Sequence, residues 1–153
     1  MRITPFGTTT IEDIQNLESE FDMSIPEDYK DFLMMHNGGK PDIGNEWGYA
    51  EFYVEDLESS QFLDILYGIG VKKLDISYWT NFFPGDIPPK TLVIGGDPGG
   101  AMLLLFNDNS ENDGIYYYDH AYRHKQSSDE QNTYFVADTF TEFIALLKPP
   151  AED

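Results

Sequence analysis

Between residues 9 and 39 the apolar positions recur twice at helical spacing, and each run is bounded by residues that start or stop a helix. Ile11, Ile14, Leu17 and Phe21 fall on one face of a first helix. Thr9 and Glu12 read as its capping box, each side chain accepting the other residue's backbone N–H. Ser24, Ile25, Pro26 and Glu27 open a second helix. Proline loses nothing where amides have no helical partner, and the carboxylates of Glu27 and Asp28 favour the positive helix end. The buried stripe of this helix is Ile25, Tyr29, Phe32 and Leu33, completed by His36 or Met35. Asn37-Gly38-Gly39 stops it, with Gly38 in the left-handed conformation that only glycine adopts without strain.

The middle of the chain changes period. Residues 49–54 and 62–67 have strand composition between turn residues and are expected to pair. Leu74, Tyr78, Trp79 and Phe82 return to helical spacing until Pro84-Gly85 and Pro88-Pro89 prevent continuation, which predicts a short third helix. Residues 92–94 and 102–106 are apolar strands joined by GGDPGG, and Asp113-Gly114 turns into a strand over 115–118. A last strand at 134–136 precedes a helix capped by Asp138, with Phe140, Phe143, Ile144 and Leu147 at i, i+3, i+4 and i+7, ended by Pro149-Pro150. Helices first, strands in the middle and a helix last predict an α+β fold, a mostly antiparallel sheet with flanking helices. With no repeat, linker or low-complexity tract, residues 1–153 read as a single domain.

The pattern Ile25-Pro26-x-x-Tyr29-x-x-Phe32-Leu33 followed by Asn37-Gly38-Gly39 resembles the opening of the SUKH superfamily, the Smi/Knr regulators and bacterial toxin-immunity proteins. Four later blocks resemble that family's in the same order: FLDILYGIG (62–70), IPPKTLVIGGDPGG (87–100), IYYYDH (115–120) and ADTFTEFIALL (137–147). Each block alone is a helix boundary or a strand with a turn; their order along nearly the whole chain carries the resemblance. The matching positions are Pro26, Tyr29, Asn37, Gly38, Gly39, Asp97, Gly100, Asp119, His120 and Phe140, to which the resemblance assigns structural roles. Ile25 stands where the family more often has Leu, and Ala101 where many members carry a polar residue.

Composition narrows the classes. The 153 residues, 41% apolar and 15% aromatic, suffice for a core that buries roughly two-thirds of the unfolded surface. Cysteine is absent, so there is no disulfide or thiolate metal site, consistent with a reducing compartment. The start lacks the apolar stretch of a signal peptide, and the longest apolar run, 101–106, is too short to span a bilayer. A cytoplasmic location is expected.

Charge is lopsided: 28 acidic against 9 basic side chains leave a net of −19. Such a field repels phosphate backbones and anionic lipid, and attracts basic partners. Residues 41–71 contain no Lys or Arg but seven acids, Asp42, Glu46, Glu51, Glu55, Asp56, Glu58 and Asp64. A charge run is ordinarily a solvated surface. The interleaved Trp47, Tyr49, Phe52 and Tyr53 favour a binding face, since aromatic anchors ringed by charge combine affinity with steering.

Catalytic and cofactor signatures are weak. GGDPGG lacks the Lys-Ser/Thr of a phosphate loop, and Pro98 removes an N–H donor. A calcium loop over 109–120 fails on register, because His120 would stand where a bidentate Glu belongs. Asp119, His120 and His124 form a possible metal or acid–base cluster, but no helix is predicted to align the imidazoles, and Asp119-His120 reads better as fixing a strand exit. His36 reads as packed and hydrogen-bonded. No metal, cofactor or catalytic group is expected.

The resemblance implies an immunity protein that binds and neutralises a toxin domain. Family members commonly face nucleases, whose substrate grooves are basic, and the acidic charge suits such a partner. The candidate partner-binding residues are Asp42, Glu46, Trp47, Tyr49, Glu51, Glu55, Asp56 and Glu58, chosen on charge and aromatic clustering alone. A Smi/Knr-type regulatory scaffold is the alternative, and a hydrolase using Asp119 and His120 the third reading.

Overall fold

The computed structural model describes residues 2–44, 49–82, 87–119 and 133–150. Helix α1 spans Ile11–Phe21 and buries Ile14 and Leu17. Its N-cap is Thr10, whose hydroxyl accepts the Asp13 amide at 3.1 Å, while the Thr9 hydroxyl donates to the Asp13 carboxylate at 3.4 Å. The predicted Thr9–Glu12 box is therefore not formed: the hydroxyl cap lies one residue further on, and the Asp13 carboxylate takes the Thr9 hydroxyl. Three successive threonines at 8–10 leave the sequence no local means of choosing among them. Ile11, expected on the buried face, is 60% exposed.

Helix α2 spans Glu27–His36, with Pro26 at its N-cap and Tyr29 and Leu33 fully buried. His36 turns inward and stacks on Phe32, the rings 4.9 Å apart, whereas Met35 is exposed. The His36 Nδ1 has no hydrogen-bond partner among the described residues, contrary to the sequence expectation. The helix closes on two successive left-handed residues, Asn37 (φ 48°) and Gly38 (φ 84°). Asn37 gives its amide to Leu33 O at 2.9 Å, and its side chain bridges to Ile69, donating to the carbonyl at 2.9 Å and accepting the amide at 2.8 Å. Gly38 is required twice over: a Cβ there would lie 2.5 Å from the Leu66 carbonyl oxygen.

Among the described residues the strands are β1 (Ile3–Pro5), β2 (Gly39–Pro41), β3 (Ala50–Val54), β4 (Ser59–Leu63), β5 (Ile65–Leu66), β6 (Thr91–Gly96), β7 (Met102–Phe106), β8 (Gly114–Tyr118) and β9 (Thr133–Ala137). Seven form one sheet in the order β1-β2-β5-β6-β7-β8-β9, every neighbouring pair antiparallel. The other two, β3 and β4, pair as a separate antiparallel hairpin. The expected strand at 62–67 is thus two strands, one for each sheet, divided at Asp64. The observed arrangement is α+β.

Successive strand residues point to opposite faces, so the burial of Leu92, Val93 and Ile94 on β6 and of Leu103, Leu104 and Leu105 on β7 shows both faces of the sheet centre to be covered. Helix α3 (Ile76–Phe82) lies beside β6. Strand β5 reaches only Gly95 and Gly96 of β6, and the Thr80 hydroxyl accepts the Val93 amide at 2.9 Å along the rest of that edge. Ile76 and Thr80 are the buried positions of α3, while Tyr78 and Phe82, predicted to face inward, are about half exposed. Helix α4 (Phe140–Leu146) lies against α2, β8 and β9. Its cap is Thr139 instead of Asp138: the Thr139 hydroxyl accepts the Glu142 amide at 3.1 Å, and the Glu142 carboxylate reaches back past the cap to accept the Asp138 amide at 3.2 Å. Phe140 packs 4.8 Å from the rings of both Tyr29 and Phe32, joining α4 to α2.

Candidate partner-binding face

The β3–β4 hairpin carries most of the described residues selected from the acidic segment. Ala50, Phe52 and Val54 point inward and are at most 1% exposed. Phe52 sits edge-on to Phe143 of α4 at 5.3 Å and to Tyr117 of β8 at 6.2 Å, so it is a core residue and not part of an aromatic binding face. Tyr49, Glu51 and Tyr53 alternate onto the other face, where register pairs Glu51 with Phe62 and Tyr53 with Ser60. Tyr49 and Phe62 meet edge-on at 5.0 Å, and Tyr53 is 49% exposed. The outward aromatics are therefore Tyr49, Tyr53 and Phe62; Phe62 was legible only as a strand residue.

Glu51 behaves differently from the other acids. It is buried, its backbone exchanges hydrogen bonds with Lys148 at 2.8 and 3.0 Å, and its carboxylate lies 3.8 Å from the Lys148 ammonium. The chain following α4 thereby adds an antiparallel bridge to the outer edge of β3.

Glu55, Asp56 and Leu57 form a single 3-10 turn at the hairpin tip, closed by Glu58 in the left-handed region (φ 50°, ψ 36°) whose amide donates to Glu55 O at 3.0 Å. Leu57 packs on the core, and the three acids are exposed. Among the described residues none of these three carboxylates has a hydrogen bond or an ion pair. This tip also lies against β9. Asp42 sits elsewhere, just past β2, with its amide on Arg2 O at 2.9 Å and its carboxylate accepting the Gly44 amide at 3.3 Å. Glu46 and Trp47 lie outside the described residues.

The residues matched to the family serve packing and turns. Gly39 pairs with Pro5 and Leu66, and a side chain there would run into the Thr4 carbonyl. In the β6–β7 turn one Asp97 carboxylate oxygen accepts the amides of Gly99 and Ala101, both at 2.8 Å, and the other accepts the Tyr117 hydroxyl at 3.2 Å. Gly100 has φ 95° in the same turn. GGDPGG is accordingly a hairpin turn built around Asp97. Tyr67, beside it, is pushed up to about 12, by burial first and then by Asp64 and Asp97. Burial alone raises the Tyr29 hydroxyl far above its ordinary range. Asp119 follows β8 and is half-buried; His120 and His124 lie outside the described residues. Among the described residues no group of three His, Asp or Glu is placed to hold a metal, and no helix is long and apolar enough to cross a membrane.

The chain is 24% identical over 155 aligned residues to the SPbeta prophage-derived uncharacterized protein YokK of Bacillus subtilis (strain 168), an alignment covering 94% of this chain and 77% of that relative. The SMI1 / KNR4 family (SUKH-1) model matches residues 8–146, and the chain belongs to that family.

Proposed function

We propose that this protein acts in the cytoplasm as a single-domain immunity protein, binding a toxin domain stoichiometrically and masking its basic substrate groove. Membership of SUKH-1 fits a toxin-immunity role. The observation that carries the finer reading is the hairpin tip: Glu55, Asp56 and Glu58 project into solvent with their carboxylates unpaired among the described residues, on a chain of net charge −19. A nuclease must keep Lys and Arg in its groove to hold phosphates, so an exposed acidic turn beside Tyr53, with Tyr49 and Phe62 at the other end of the same hairpin, offers that groove both charge and aromatic contact. Long-range attraction from such a surface speeds encounter and is screened within roughly 10 Å at 0.1 M salt. Asp42, Glu46 and Trp47 belong to the same acidic stretch of sequence and are further candidates for contact with the partner.

Co-expression with any toxin gene found beside its own tests the reading. Wild-type protein protects the cell, and the triple reversal Glu55→Lys, Asp56→Lys, Glu58→Lys slows association by roughly tenfold or more at low salt and weakens protection, with an unchanged melting temperature. Equal protection by both proteins excludes the hairpin tip as the interface; no protection by wild type counts against immunity to that toxin.

A further inference from the structure

A recess lies where the first turns of α2 and α4 meet the β7–β8 end of the sheet. It encloses about 210 Å³. Leu105, Ile115 and Phe140, each at most 4% exposed, give it an apolar floor, and Asp28, Asp113 and Asp138 stand around it. Among the described residues no Lys or Arg lines it.

The three carboxylates are not equivalent. Asp28 is fully engaged: one oxygen takes the Tyr29 amide at 2.8 Å and the other takes the amide and hydroxyl of Thr141, both at 2.9 Å. It thus occupies amides that the first turns of the two helices would otherwise offer to an anion. Asp113 accepts the Asp108 amide at 2.8 Å through one oxygen, and its other oxygen has no hydrogen bond among the described residues. The Asp138 carboxylate has no hydrogen bond or ion pair among the described residues. Burial first, and then Asp113, Asp138 and Asp108, raise the Tyr116 hydroxyl above its ordinary range.

Size and chemistry select the occupant. Small-molecule sites run to roughly 300–1,000 Å³, so this recess is scaled to one side chain and not to a metabolite. An apolar floor suits an aliphatic stem, and carboxylates at the rim suit a cation at its end. Carboxylates set around an opening favour a planar fork of five donors over a single ammonium. We propose that this recess is an anchor pocket for an arginine side chain of the protein partner. The proposal rests on the partner being a basic protein, as argued above, and gives it a contact separate from the hairpin.

Amide NMR of the isotope-labelled protein, titrated with N-acetyl-arginine amide and in parallel with N-acetyl-norleucine amide, tests the pocket without any toxin. The expected result is saturable shifts confined to the amides around Gly114, Ile115, Phe140 and Thr141 with the arginine probe. Asp113→Asn with Asp138→Asn weakens that binding by roughly fivefold or more, whereas Glu55→Gln with Asp56→Asn, removing equal charge from the hairpin tip, changes it less than about twofold. Should the first double variant lose its fold, Asp138→Asn alone against Glu55→Gln gives the same contrast. Shifts that spread over the acidic surface without saturating, equal losses in both variants, or equal binding of the norleucine probe would overturn the proposal. Failure of the toxin co-expression experiment, by contrast, leaves the probe result standing.

Discussion

The β6–β7 and β3–β4 hairpin turns both carry carboxylates, and they use them in opposite ways. In the β6–β7 turn Asp97 accepts two backbone amides and the Tyr117 hydroxyl, so its charge is occupied in holding the loop to the sheet. In the β3–β4 turn the shape comes from backbone alone, a 3-10 turn closed by the Glu58 amide on Glu55 O, and the carboxylates of Glu55, Asp56 and Glu58 are left to solvent. An acid that organises its own loop has little capacity left for a partner. One that organises nothing costs the fold little when it is changed, and its field extends outward. Where charge serves structure and where it is available for recognition can therefore be read from which carboxylates already have donors.

The terminus of α2 shares the first kind of economy, and its disruption should have the largest effect. Gly38→Val combines a left-handed backbone with a Cβ 2.5 Å from the Leu66 carbonyl and 2.7 Å from the Tyr67 carbonyl carbon, neither of which is a flexible group. Urea unfolding should show a loss of about 3 kcal/mol or more. A loss below about 1 kcal/mol would mean that this turn, like the acidic one, tolerates side-chain change.

The contrast itself is broken or kept by Asp97→Ala. Removing an ionised acceptor from two amides and a tyrosine hydroxyl should cost about 2 kcal/mol. Each reversal at Glu55, Asp56 or Glu58 should stay within about 0.5 kcal/mol. A fold more sensitive to the tip than to Asp97 would invert the reading of both turns.

The division was partly written in the chain. Helices α1, α2 and α4 were legible because apolar period and terminal residues agree, with errors of one residue at the caps where Thr9-Thr10 and Asp138-Thr139 both offer oxygens. Strands β1 and β2 left no signal: each is three residues long and carries proline, with Gly39 in one of them, against an ordinary strand of about 5–6 residues. The apolar run at 62–67 concealed a change of sheet at Asp64, since both halves look alike to a period count. At the candidate face, a stretch without Lys or Arg correctly marked Glu55, Asp56 and Glu58 as exposed. It could not distinguish Glu51, whose cover is Lys148 from the far end of the chain, nor Phe52, whose partners Tyr117 and Phe143 are equally distant. Local spacing records which acids are present; only tertiary contact decides which are occupied.

Alkaline pH sharpens the comparison through Tyr67. Its hydroxyl is held at about 12 against an ordinary 10.0, by burial first and then by Asp64 and Asp97. A raised value means that the folded state retains a proton the unfolded state has lost, so the contribution is complete below pH 10 and disappears as pH rises toward 12. Unfolding free energy measured from pH 9 to 12 should therefore fall less steeply in Tyr67→Phe than in wild type. Reversing the three tip acids should leave this limb unchanged, because none of them contributes to the Tyr67 shift. A slope altered by the tip and untouched by Tyr67→Phe would show the acidic turn to be coupled to the sheet.

The smallest effect is the most specific to the acidic turn. Glu58 holds φ 50°, a conformation that costs an ordinary L-residue roughly 1–2 kcal/mol and glycine almost nothing. Its carboxylate returns none of this among the described residues, since the turn is closed by its amide. Glu58→Gly should thus raise stability by about 0.5 kcal/mol once the greater freedom of glycine in the unfolded chain is deducted. The same substitution removes one of the three tip charges, so association with the basic partner should slow slightly while the melting temperature rises. If Glu58→Gly instead destabilises the protein, the Glu58 side chain is holding the turn, and the acidic hairpin belongs with the Asp97 turn after all.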